Sequence, residues 1–185
     1  MRAPSACASW FWDLEGCAPP GLRSALAVAA RMSAVLRKHG LLQPATLEWH
    51  WLVPELGGAV GKSSVGLLRP LDDEWTVRRV EELRPVAFPG AETSGFHVLG
   101  TGEWSDADGA RHREERLVEL TVSAEPPEVH RYNAPRLAAA LGELDALLGV
   151  PAEPGGATYF GAAVGHGVME PDVVDGRGPD LTDRL

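Results

Sequence analysis

Alternation of apolar and polar residues is clearest between Ser94 and Ala124. Phe96, Val98, Gly100, Gly102 and Trp104 fall on one side of an extended run, with His97, Leu99, Thr101 and Glu103 on the other. Val118, Leu120 and Val122 alternate in the same way with Leu117, Glu119 and Thr121. A period of two is the mark of strands, and Asp106-Ala107-Asp108-Gly109 between them has turn composition. A three-residue loop, Ala107 to Gly109, predicts a register in which Val98 faces Val118 and Phe96 faces Leu120. On the opposite face Glu103 then meets Arg113 and His97 meets Glu119. A four-residue loop would set Phe96 against Glu119 and mix the faces, so the shorter loop is the better reading.

The segment Thr46–Val53 alternates too, with Leu47, Trp49, Trp51 and Val53 against Glu48 and His50. Ser64–Arg69 and Glu74–Leu83 read as a further hairpin about Pro70-Leu71-Asp72-Asp73. The second arm, EWTVRRVEEL, also suits a short helix, but Trp75, Thr76, Val77 and Val80 favour a strand.

Two stretches have helical spacing. Leu22, Leu26, Ala29, Ser33 and Leu36 predict a helix near 22–39, opened by Pro19-Pro20-Gly21 and stopped by Gly40. Leu137, Leu141, Leu144 and Leu148 predict another near 134–148, with Asn133 as N-cap, Pro135 in the first turn and Gly149 at the end. The expected fold is therefore one α+β domain: a mostly antiparallel sheet of about five strands covered by two helices. Residues 21–150 form that domain. Residues 1–20, with Trp10, Phe11 and Trp12, pack on it, and the Gly- and Pro-rich 151–185 segment is partly flexible. No internal repeat is visible.

At 185 residues the chain is long enough for one real core. Its formal net charge of −9 argues against a nucleic-acid footprint and against attraction to anionic lipid. Only two of the basic residues, Lys38 and Lys62, are lysine, and the Ala, Gly, Pro and Arg richness reflects a GC-rich genome. Cys7 and Cys17 fit no zinc motif; a local disulfide is open to them, but reduced thiols suit the cytoplasm, which is the expected compartment. Neither a signal peptide nor a membrane span is expected, because Asp13 and Glu15 interrupt the N-terminal apolar residues.

Candidate chemistry changes this picture little. Gly57 to Ser64 resembles a phosphate-binding loop, but Leu56 stands where GxxxxGK[ST] needs glycine and no helix follows, so a flexible glycine turn is expected. Asp106 to Gly109 lacks the later ligands of a calcium loop. His39, His50, His112, His130 and His166 show no paired metal spacing, and neither metal nor cofactor is expected.

The one catalytic candidate is His97 beside Glu119, since a carboxylate can orient an imidazole and make it a general base. A cross-strand pair on a wet sheet face explains the same residues without chemistry. The candidate binding residues are Trp49, Trp51, Phe96 and Trp104, as the lining of a pocket between sheet and helices, and Glu103 and Arg113 on the charged face. Two functions are expected from this. The first is a non-enzymatic protein-binding module of adaptor, chaperone-like or toxin-neutralising type, with a protein partner. The second is a small-molecule enzyme or carrier using the aromatic pocket.

Overall fold

The structure, a computed structural model, describes residues 6–15, 17–19, 21–101, 109–112, 117–123, 127–158 and 161–169. The fold is α+β. Seven antiparallel strands form one sheet in the order β3-β2-β4-β5-β6-β1-β7: β1 Ala6–Asp13, β2 Gln43–Val53, β3 Gly58–Gly66, β4 Glu92–Thr101, β5 Gly109–His112, β6 Leu117–Ser123 and β7 Glu153–Pro154. Three helices, α1 Leu22–Lys38, α2 Glu74–Glu82 and α3 Pro127–Leu148, link strands that run the same way. Each helix therefore crosses the sheet rather than closing a hairpin. A two-stranded unit, β8 Ala162–Val164 and β9 Gly167–Met169, completes the described chain.

The core lies between the sheet and the helices. Trp10 and Trp12 of β1, Leu47, Trp49 and Trp51 of β2, and Phe96 and Val98 of β4 face it. Leu26, Met32 and Leu36 of α1 and Leu137, Leu141 and Leu144 of α3 close it from the other side. Trp10 and Trp12 have no accessible surface, so β1 is an inner strand, pairing with β6 through Trp10↔Leu120 and Trp12↔Val118. Their indoles are also satisfied: Trp10 Nε1 donates to Gly165 O (2.6 Å) and Trp12 Nε1 to Asp145 Oδ1 (2.7 Å).

The sheet departs from the expected register at its centre. β4 pairs with β5 (Phe96↔His112, His97↔Arg111, Val98↔Ala110), and β5 in turn pairs with β6 (Ala110↔Leu120, Arg111↔Glu119). A four-residue strand is thus inserted between the two arms that the alternation had placed side by side, and Gly109 belongs to this strand rather than to a turn. The other hairpin is corrected too. β3 begins at Gly58 and pairs with β2, turning at Gly57, whose φ of 65° is the left-handed conformation that glycine adopts without strain. The glycine-rich Gly58 to Ser64 segment is accordingly extended strand, not the flexible glycine turn expected.

Glu74–Glu82 is a helix, not the expected strand. Asp73 accepts a hydrogen bond from the Trp75 amide (3.3 Å), an N-cap, and Thr76, Val77 and Val80 bury one helical face. Helix α3 begins seven residues before the expected 134, so Asn133 and Pro135 lie inside it. Asn133 is buried and accepts from Arg136 Nη1 (3.2 Å) instead of capping.

Ion pairs tie the helices together. Arg23 of α1 grips Glu74 of α2 through two bonds of 2.6 and 2.8 Å, which hold the Glu74 carboxyl below its usual range. Lys38 and His39 at the end of α1 reach Glu143 of α3 at 2.7 and 3.0 Å.

Candidate functional site

Trp49, Trp51 and Phe96 come together as the alternation implies. The Trp49 ring lies 6.0 Å from Trp51, edge-on, and 6.3 Å from Phe96, separations at which aromatic pairs attract. Trp49 and Trp51 have no accessible surface and Phe96 has 4%, so these rings fill the layer beneath the helices. Arg84 covers the outer edge of the cluster, its guanidinium 5.9 Å from the Trp51 ring centre. Trp51 Nε1 donates to Ser63 Oγ (2.8 Å), whereas Trp49 Nε1 has no partner among the described residues. Trp104, Glu103 and Arg113 lie outside the described residues.

His97 and Glu119 are not register partners. The row that contains them runs Ser64, Glu48, His97, Arg111, Glu119, Phe11, Glu153 across seven strands. Arg111 separates the two, so their backbones are two strand spacings apart, about 9–10 Å. His97 has Glu48 as its carboxylate neighbour on the other side, and Glu48 forms an ion pair with Lys62. The His97 ring meets His50 edge-on at 5.9 Å.

These residues sit on the face of the sheet away from the helices. All three helices pack on the Trp49 side, and the β8–β9 unit is held there by Gly165 and His166. On the opposite side Phe11, His50, Leu52, His97 and Leu99 are half-buried, with none of the described elements stacked over them. Strand β3 forms one edge of this sheet among the described residues, so half of its backbone hydrogen-bonding groups have no described strand to pair with.

Two constellations were missed by the sequence reading. The first centres on Asp145. Its Oδ1 accepts from Trp12 Nε1 and from the Ala152 amide (2.9 Å), and its Oδ2 meets His166 Nε2 at 2.8 Å. One carboxylate thereby joins α3 to the N-terminal strand and to the β8–β9 unit. The signal was present: Asp145 follows Leu141 and Leu144 and precedes Leu148, which puts an acid on the buried stripe of a helix. The second is a cleft beside α1 that gathers Arg31, Arg37 and Arg69. Arg31 and Arg37 lie off the apolar stripe of α1, and Arg69 is 32 or more positions away in sequence, so periodicity gives no hint of their meeting.

Among the described residues, no group of three His, Cys, Asp or Glu side chains is placed to hold a metal ion, and no helix is long and apolar enough to cross a membrane. No family model, no curated protein and no solved structure matches this chain.

Proposed function

We propose that the chain is a non-enzymatic protein-binding module whose partner docks on the helix-free face of the sheet. The observation that carries this reading is the one-sided architecture. Seven strands have all three helices on one side, while Phe11, Leu52 and Leu99 lie half-buried on the other. A two-layer domain completes its core with one covering layer, and among the described residues the second face carries no such layer.

The composition of that face supports a partner that binds and leaves. Apolar side chains alternate with the Glu48–Lys62 ion pair and the His50–His97 ring pair. Mixed surfaces of this type suit non-obligate interfaces, where charge fixes orientation and a few apolar anchors supply affinity. Arg111 stands between His97 and Glu119 in the register, so this reading does not rest on that pair.

The test is co-purification from the native host with Leu99→Arg as the variant. A one-to-one complex with the wild-type chain that is lost in the variant, with an unchanged urea midpoint, is the expected result. A complex that survives Leu99→Arg, or no stoichiometric partner at all, contradicts the proposal.

A further inference from the structure

Beside α1, the loop between β3 and α2 and the start of β2 leave a cleft of about 560 Å³. Its α1 wall is Ala30, Arg31, Ser33, Ala34 and Arg37, positions that recur on one side of the helix. Leu67, Arg69 and Leu71 of the β3–α2 connection and Gln43 and Pro44 of β2 complete the lining.

Charge in this cleft reverses that of the molecule. The whole chain carries −9, yet three arginines line the cleft against one acidic residue, Asp72, among the described residues. Arg31 is held in place by a bond from Nη2 to Leu147 O (2.6 Å), which leaves its other N–H groups available. Arg69 touches Asp73 only at 3.5 Å, and Arg37 has no ion-pair partner among the described residues. Ser33 is 96% buried, and its Oγ has no hydrogen-bond partner among the described residues. A buried hydroxyl without a partner is rare in a finished core.

The geometry points to a binding site in this cleft for a small organic oxyanion, a carboxylate or phosphate monoester that carries a short apolar body. Guanidinium groups bind such anions through paired N–H donors, and a preset Arg31 beside the freer Arg37 and Arg69 gives a fork that closes on the ligand. Gln43 adds a neutral hydrogen-bonding group, and Ala30, Ala34, Leu67 and Leu71 receive the apolar part. Ligand sites of this kind span roughly 300–1,000 Å³, a range that includes this cleft. The site lies beside α1, on the helix side of the sheet, so it stands or falls independently of the protein-binding face.

The experiment is an amide-resolved NMR titration of the full chain with sodium octanoate, phenyl phosphate, inorganic phosphate and octylamine. Octanoate or phenyl phosphate is expected to shift the amides of residues 30–37 and 67–72 saturably below about 10 mM. The tighter of the two identifies the anion. Arg37→Gln, an exposed position, is expected to weaken that binding roughly tenfold or more while leaving the rest of the spectrum in place. The proposal is overturned if neither organic anion saturates these amides, or if octylamine or inorganic phosphate matches them. It is equally overturned if Arg37→Gln and Arg69→Gln both titrate like the wild type.

Discussion

The two buried indoles of β2 differ in one atom's fate. Trp51 Nε1 reaches Ser63, while Trp49 Nε1 is desolvated without a partner among the described residues. Replacing either ring with phenyl leaves a similar void, but Trp49→Phe also removes an unsatisfied donor, whereas Trp51→Phe breaks a hydrogen bond. Trp51→Phe is therefore expected to cost about 1 kcal/mol more than Trp49→Phe in urea unfolding. Equal costs would show that Trp49 Nε1 is satisfied. Asp145 carries a larger consequence. Asp145→Ala leaves the fully buried Trp12 Nε1 and the Ala152 amide without their acceptor, at about 2–4 kcal/mol. Asp145→Asn keeps an acceptor oxygen in place and is expected to recover most of that loss. Which indole finds a partner was not legible in the sequence, because a partner such as Ser63 is set by register and not by spacing. That Trp49 and Trp51 share a face was legible at once, since strand period places them there.

Elements were readable in proportion to their length. The stripe of α1 spans more than four turns, and the helix ends beside Gly40, where the sequence stops it. Helix α2 has nine residues, too few for a period to outweigh the strand preference of Trp75, Thr76 and Val77. Its N-cap Asp73 and its contact with Arg23 settle the matter through tertiary structure. Strand β5 has four residues, and a strong turn signature at Asp106 to Gly109 drew the register toward a simple hairpin.

Between elements, Glu143 is the clearest charge effect. Hydrogen bonds from Lys38 and then His39 hold its carboxyl below the usual range. A depressed folded value means the pair stabilises the fold above about pH 4.5, the unfolded carboxyl's range, and that this is lost as pH falls through the folded value. Glu143→Gln is expected to flatten the acid limb of a Tm-against-pH curve, and an unchanged limb would contradict the contact. At the opposite edge, Gly155 lies against β1, where an added Cβ would come within 2.8 Å of the Phe11 ring and 3.0 Å of Ser9 O. Its amide donates to Ser9 O at 2.8 Å. Gly155→Val is expected to detach β7, read as lost hydrogen-exchange protection at residue 155 and a cost of about 1–3 kcal/mol. Retained protection would show that the edge can yield.

For the molecule as a whole, the arrangement of helices decides which sheet face a partner of the proposed kind would meet. Each helix crosses the sheet on the same side, and the contacts Arg23–Glu74 and Lys38–Glu143 bind all three into one layer. The sequence announced an antiparallel sheet with covering helices but not which side stays open, because that depends on three long connections and not on local pattern. The most direct measurement places the photo-reactive residue p-benzoylphenylalanine at Phe11 or at Leu99, and at Arg79 on the outer surface of α2, followed by irradiation in the native host. A single adduct mass common to the Phe11 and Leu99 sites and missing from the Arg79 site is predicted. Adducts from Arg79 alone, or equal adducts from all three sites, would contradict a partner bound on the helix-free face.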